Sequence, residues 1–501
     1  MSEQFLILRN PGAAPLLELP LLPFAQFRRQ ALAAIARRKA RVAAFFAYTQ
    51  GGSQRLLLIL AVDAEGILLL SSCEVKDSFA SFTPEAPQFH CFEREIYEEH
   101  GLEPLGHPWL KPLRFNQPGQ GEASAGVCDY FKLSGEAAHE VAVGPVHAGV
   151  IEPGHFRFQC VGEQVYSLEI SLGYQHRGIE RLLRQGPDKR SVHLLETCCG
   201  DSSCAYAGAY AQLLESLQEE LRPSPRAEAL RLLAWELERL ANHCGDLGAL
   251  ANDVAFRPTM AYCGRLRGEF LNMTAELCGN RFGRGLIRPG GMGYDATPAI
   301  VAKLLPWLQI SGKELYNALD LLFNNSGVLD RFENTGTLER KTAADIGLVG
   351  MAARASGLQQ DLRSYHPYGW YRENPYQAAR AESGDVCARA QIRYEEIKSS
   401  LQMVERTLKE LPEAEEQEGA AAAPDLSLRP KQLAVSMCEA WRGELCLCAM
   451  TDEQGRFEQF KIVDPSFHNW FGLSMALRGE QISNFPLCNK SFNLSYCGHD
   501  L

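Results

Sequence analysis

The chain has 501 residues, of which 46% are hydrophobic and 22% charged, a globular balance that excludes wholesale disorder. At ~150 residues per domain it is too long for one hydrophobic core. A formal net charge of −11 argues against nucleic acid or anionic membrane as the main partner. In chain order, Phe24 to Ala44 carries apolar residues at helical spacing. Arg55 to Val62 and Ile67 to Ser71 read as buried strands, and the Asp63-Ala64-Glu65-Gly66 turn between them predicts a hairpin. A helix is expected from near Phe92, and the polar, glycine- and glutamine-rich stretch Asn116 to Ala125 reads as a linker. Phe156 to Cys160 and Val165 to Ile170 read as a second strand pair around Val161-Gly162-Glu163.

From Ile179 the pattern turns helical. Ser224 as N-cap and Pro225 at the first helical position open a helix that runs to about Val254. Its apolar stripe is Leu230, Leu233, Leu237, Leu240, Cys244 and Leu247, and a polar stripe of Glu236, Arg239, His243, Asp246 and Asp253 runs beside it. The plain reading of the polar stripe is a solvated face. A lone histidine and three acids beside a leucine seam point instead to a buried ion network, serving proton movement, conformational coupling or bundle register. Further helices are expected over Arg265 to Cys278, Ala299 to Asn325, Asp345 to Ala355 and Val386 to Leu411, which together make a bundle. Glu413 to Pro424 reads as an exposed loop, and Glu444 to Met450 and Phe457 to Val463 as strands.

The fold class is therefore α+β. A small α/β domain (1–115) and a linker (116–140) precede a larger domain (141–501) with a central long-helix bundle and peripheral strands. The longest apolar run, Leu56 to Val62, falls far short of the ~18 residues of a membrane-spanning helix. Met1 to Asn10 lacks the basic and apolar stretches of a secretory signal, so a cytoplasmic protein is expected. The 16 cysteines include no C-x-x-C pair and are expected to be buried thiols or metal ligands rather than disulfides.

Phe92 to Pro112 reads FEREIYEEHGLEPLGHPWLKP. Composition alone makes it an acidic surface helix ended by Gly101. The ERE…GHP signature, however, resembles the small peripheral-arm subunit that flanks the quinone site in respiratory complex I. The remainder resembles the large subunit of membrane-bound NiFe hydrogenases of the formate-hydrogenlyase type, and the homologous quinone-site subunit of complex I. The resemblance rests on Gly144-Pro145-Val146-His147, Glu152-Pro153-Gly154-His155-Phe156-Arg157, His176-Arg177-Gly178-Ile179-Glu180 and the helix from Arg226 to Asp253. It continues through Arg288-Pro289-Gly290-Gly291, Arg354 to Gly357 with Asp361-Leu362-Arg363, and Gly384-Asp385. It implies a large subunit with the small one fused in front.

A NiFe centre needs four thiolates, which this family supplies as two C-x-x-C pairs. The resemblance puts those four positions on Cys199, Ser202, Ser495 and Gly498, so three of the four sulfur ligands are missing. A nickel–iron centre is not expected. Cys198, Cys199, Cys204, Cys488 and Cys497 leave another metal site open, against the plainer reading of small buried hydrophobes. In complex I the same cavity, without metal, takes a quinone headgroup between a tyrosine and a histidine paired with an aspartate. The aspartate falls on Asp253 and the tyrosine position on Gly200, with Tyr206 one to two turns further on. His147 and His155 are both candidates for the histidine.

The resemblance makes Glu180 a proton-passing carboxylate, against a plain salt bridge to Arg177 or Arg181. It offers Arg288, Asp361 and Arg363 as ligand-binding residues, against structural ion pairs. It further implies a place on the cytoplasmic side of a membrane-associated, energy-converting oxidoreductase. Its partners would be a subunit carrying a 4Fe-4S cluster and integral-membrane subunits. Quinone or another small acceptor would take the electrons, with proton or ion translocation coupled to their flow. The alternative is a non-catalytic coupling or scaffold subunit, and a working hydrogenase conflicts with the ligand count.

Overall fold

The computed structural model describes residues 4–116, 125–149, 151–218, 220–413 and 427–501. The expected linker and the expected loop at Glu413 to Pro424 fall largely outside these described residues. Near the N-terminus, strand β1 (Gly12–Pro15) precedes helix α1 (Phe24–Arg38) and the antiparallel strands β2 (Arg41–Gln50), β3 (Ser53–Val62) and β4 (Ile67–Val75). The expected hairpin is β3–β4. The helix expected over Phe24 to Ala44 is shorter than its spacing suggests. Lys39 takes a left-handed φ of 54° and ends α1, and the segment after it extends to pair with β3. Helix α2 (His90–His100) carries the ERE element and ends at Gly101, whose φ of 69° suits a glycine.

A small sheet follows, β5 (Ala138–Val143), β6 (His155–Val161) and β7 (Gln164–Ser171), with β6 in the middle. The short helix α3 (Ile179–Leu183) leads to α4 (Ser203–Leu217) and then to the bundle: α5 (Pro225–Asp253), α6 (Arg257–Cys278), α7 (Pro298–Phe323) and α8 (Val386–Lys409). Ser224 Oγ accepts from Ala227 N at 3.1 Å, and Pro225 follows it at the first helical position, as expected. Helix α5 packs on α6 and α8, and α6 packs on α7. The helix expected over Asp345 to Ala355 is two short helices, Arg340–Asp345 and Gly350–Ala355. Gly347 and Gly350, at φ of 71° and 65°, turn the chain between them.

The last part forms strands β8 (Gln432–Ala440), β9 (Gly443–Thr451) and β10 (Phe457–Val463), then helices α9 (Pro465–Ala476) and α10 (Tyr496–Asp500). The sheet order is β10-β9-β8-β1, so the N-terminal strand Gly12–Pro15 completes a C-terminal sheet. Strand β8 is almost wholly buried and lacks the alternation that marks a half-buried strand. Two apolar cores result. One joins the N-terminal sheet, α4 and the C-terminal sheet; the other lies among the bundle helices, β6 and β7. Among the described residues no helix is long and apolar enough to cross a membrane.

Candidate functional site

Two segments far apart in sequence meet at the head of α4. The first is Cys198 to Ser202, just before that helix; the second is Ser495, which caps α10 by accepting from Gly498 N at 2.9 Å. The Cys199 Sγ lies 3.2 Å from Ser495 Oγ, and Cys497 Sγ lies 3.4 Å from the same hydroxyl. Gly498 packs so tightly that a Cβ there would come within 2.6 Å of Asp464 Oδ2. Ser202 is buried at the N-cap of α4. The four positions singled out in the sequence therefore lie around one point, with one thiol, two hydroxyls and a glycine among them.

A cation stands beside that thiol. Arg442, at the turn between β8 and β9, donates from Nη1 to Asp201 Oδ1 at 2.6 Å and from Nη2 to Asp201 Oδ2 at 2.9 Å. The same Nη1 is 3.3 Å from Cys199 Sγ, and Nε donates to Asn493 O at 2.6 Å. Burial would raise the Asp201 carboxyl, but the Arg442 guanidinium outweighs it and holds the carboxyl below its ordinary range. The nearby Cys497 thiol and burial push the Cys199 thiol well up, so it stays protonated. Such a donor set does not fit a centre that needs four thiolates. Among the described residues no group of three or more His, Cys, Asp and Glu is arranged to hold a metal ion.

Tyr206, on the first turn of α4, donates to Asp464 Oδ2 at 2.7 Å. Gly200, at the position expected to hold a tyrosine, is exposed, and a Cβ there would meet nothing within 4 Å. Among the described residues no ion pair joins Glu180 to Arg177 or Arg181. Glu180 Oε1 accepts from Ile462 N at 2.8 Å and lies 3.2 Å from Lys461 Nζ. Arg177 instead braces the cysteine segment, donating to Thr197 O and Cys198 O.

The two loop histidines tie the ends of one loop together. His147 Nε2 donates to Gly154 O at 2.9 Å, and His155 Nδ1 donates to Gly144 O at 3.2 Å. His155 Nε2 also accepts from Arg157 Nε at 3.2 Å, so both of its ring nitrogens are engaged. Burial lowers its pKa, against the Gly144 carbonyl, and keeps it neutral. Asp253 is exposed at the last turn of α5, with Lys490 as its nearby opposite charge. Among the described residues no hydrogen bond or ion pair joins Asp253 to either histidine.

Asp361 and Arg363 pair with each other inside the bundle, with Arg363 Nη2 2.7 Å from Asp361 Oδ2. They belong to a buried network with the polar stripe of α5. Glu396 on α8 accepts from Arg354 Nη2 (2.5 Å), Arg363 Nη2 (2.7 Å) and His243 Nε2 (2.6 Å). Glu236 accepts from Tyr371 and Ser400, and lies 3.3 Å from Arg239 Nε. Arg288 lies elsewhere: its carbonyl accepts from Arg231, and Gly290 N donates to Glu215, about 20 Å along α4 from Ser202. Sequence reasoning missed Asp201, Arg442 and Asp464. The visible signals were Asp464-Pro465 as a helix start and Trp441-Arg442-Gly443 as a strand turn.

The segment just before α4 and the C-terminal segment thus converge on one buried point beside the bundle. The family model for the respiratory-chain NADH dehydrogenase 49 kDa subunit matches residues 253–500. The carbon monoxide-induced hydrogenase of Rhodospirillum rubrum is 31% identical over 364 residues, 71% of this chain and 98% of that one. Formate hydrogenlyase subunit 5 of Escherichia coli K12 is 28% identical over 441 residues, 84% and 76% of the two chains. An NADH-quinone oxidoreductase component of Bacillus mycoides is 28% identical over 344 residues, 68% and 93%. The chain belongs to the family of the complex I 49 kDa subunit and its relatives among hydrogenase large subunits.

Proposed function

We propose that this chain is the large peripheral subunit of a membrane-associated, energy-converting oxidoreductase complex, and that it works without a nickel–iron centre. Electrons arrive from an iron–sulfur cluster in a partner subunit and pass to a quinone or another small acceptor. Integral-membrane partners hold the chain on the cytoplasmic side and couple the reaction to proton or ion translocation. The observation that carries the reading is the make-up of the four converging positions, Cys199, Ser202, Ser495 and Gly498, with the Arg442–Asp201 pair against the one thiol.

Reduction of a quinone to a quinol consumes two electrons and two protons. Glu180 and Asp253 are carboxyls able to deliver protons, and of the two histidines His147 is the better suited. Its Nδ1 makes no hydrogen bond among the described residues, whereas His155 has neither nitrogen to spare. Metal analysis of the purified complex tests the reading. Iron without stoichiometric nickel is expected, together with electron flow that a quinone-site inhibitor blocks and that Asp253→Asn abolishes. Nickel at one per chain would overturn it.

A second reading, a coupling role without a redox site of its own, draws on the exposed Asp253, which has no histidine partner among the described residues. Unchanged turnover in Asp253→Asn would favour it.

A further inference from the structure

The ERE element of α2 does not lie on a free surface. Its second glutamate, Glu95, is buried against the large domain, where Arg114 Nη1 donates to Glu95 Oε1 and Lys461 Nζ lies 2.6 Å from the same oxygen. Lys461 Nζ is also 3.2 Å from Glu180 Oε1. One turn along α2, Glu99 Oε1 lies 3.7 Å from the same Arg114 Nη1, and its side chain keeps 27% of its exposure. A chain of ionisable groups thus leads from Glu180, within electrostatic range of the Cys198 thiol, to solvent.

The charges along this chain do not balance. Three carboxyls (Glu95, Glu99 and Glu180) face two cations (Lys461 and Arg114) in a largely water-excluded place. The other ionisable groups around it are Cys91 on α2, His100 with Arg184 beside it, Cys198 near Glu180, and His176, His499 and Asp500 beyond Arg114. Burial depresses the three histidines and raises the two thiols, so none of them adds a charge at neutral pH. Asp500 is held by its own partners, accepting from Gly173 N and Gln175 N and lying 2.9 Å from His499 Nδ1. Among the groups in direct contact there is thus one more carboxyl than cation, and Glu99, with 27% of its side chain exposed against 15% for Glu180, is the one most open to water. The second oxygen of Glu95 is buried and accepts no hydrogen bond among the described residues, which leaves it open to receive a proton.

We propose that Glu99 is the solvent end of a proton relay running through Glu95 and Lys461 to Glu180, so that the N-terminal part of the chain completes the proton route of the site. Glu99 takes a proton from water and hands one, by way of water, to Glu95, the carboxyl one turn back on α2 that shares Arg114 Nη1 with it. Lys461 gives one to Glu180 and regains one from Glu95, so the relay returns to its starting state with one proton moved inward. Burial first, and the neighbouring Glu95 second, push the Glu99 carboxyl up to about 8, against Lys461 and Arg114, consistent with a group that changes charge near neutral pH.

The relay rests on the reading of Glu180 as a proton-handling group, and the test separates the two. In pH-difference infrared spectra of the full chain, a carboxylic-acid band should titrate near pH 8. It should vanish in Glu99→Gln and move to lower pH in Glu180→Gln, which removes a neighbouring negative charge. A Glu99 carboxyl that titrates only in the ordinary range overturns the proposal. In the assembled complex, Glu99→Gln should slow acceptor reduction roughly tenfold and raise its solvent deuterium isotope effect, with Glu99→Asp recovering part of the rate. Unchanged kinetics in Glu99→Gln, with slowed kinetics in Glu180→Gln, overturns the relay and leaves the role of Glu180 standing. Unchanged kinetics in both variants overturns both readings.

Discussion

At the scale of single residues, the converging point is held by hydrogen bonds between buried groups that have few donors to spare. Tyr206 gives its only hydroxyl proton to Asp464 in a buried place, and Asp464 in turn fixes α9 through Ser466 N. Removing that hydroxyl leaves a buried carboxyl oxygen short of a donor, a loss of about 1.5–3 kcal/mol for a bond to an ionisable partner. Tyr206→Phe should therefore lower the stability measured by urea unfolding by that amount while leaving the unfolding slope unchanged. An effect below about 0.5 kcal/mol would show that Asp464 finds another donor. Cysteine chemistry follows the same logic. The buried thiols Cys198, Cys199 and Cys204 are all pushed above their ordinary pKa, chiefly by burial or a neighbouring thiol, so they are poor nucleophiles.

At the scale of elements, α5 is a helix buried on nearly every side, apolar toward α6 and charged toward α8. Leu237 and Glu236 are neighbours in sequence and are both almost fully buried, on opposite kinds of surface. Leu237→Ala should cost about 2–5 kcal/mol through lost burial and a cavity. Glu396→Gln removes the charge shared by Arg354, Arg363 and Arg239, leaves guanidinium groups uncompensated, and should cost about 3–5 kcal/mol. Chemical denaturation of the two variants compares the faces directly. A small loss in Glu396→Gln would mean that solvent reaches the network. The charge pattern holds the helices in one register because each guanidinium has partners on more than one segment.

For the whole molecule, pH reports on carboxyls whose burial opposes ionisation. In the bundle network four carboxyls (Glu236, Glu396, Asp361 and Glu439) face three guanidinium groups (Arg239, Arg354 and Arg363). Burial, then Asp361, raises Glu439 to about 7, with Arg354 and Arg363 opposing. Glu238, half-buried against the head of α4, is raised to about 8 by desolvation. A carboxyl held protonated by the fold adds stability at acid pH and loses it as the pH rises through its folded pKa. These two groups should therefore lower the melting temperature as the pH rises from about 5 to about 8, between the ordinary carboxyl value and their folded values. Glu439→Gln should flatten that fall, with an effect on the order of 3 kcal/mol at alkaline pH. A profile that rises over the same range would contradict the assignment. At acid pH the opposite group acts: Glu396, held well below its ordinary range by Arg354, Arg363 and Arg239 against burial, gives up its contribution as it protonates.

The sequence by itself determined the long helices, the β3–β4 hairpin, the family and the four degenerate ligand positions. Local spacing, caps and motif order are properties of neighbours along the chain. The cap at Ser224, the turn at Asp63 to Gly66 and the order of the HRGIE and RPGG elements are such properties. Only the tertiary structure decided between the solvated face and the buried network for the polar stripe of α5, burying Glu236, Arg239, His243 and Asp246 and leaving Asp253 exposed, because Glu396 and most of the neutralising arginines come from distant segments of the chain. The same holds for the partner of Glu180, for the Arg442 guanidinium beside Cys199, and for the N-terminal strand that completes a C-terminal sheet. Burial and charge pairing are set by which distant segments fold together, and periodicity along one segment carries no record of them.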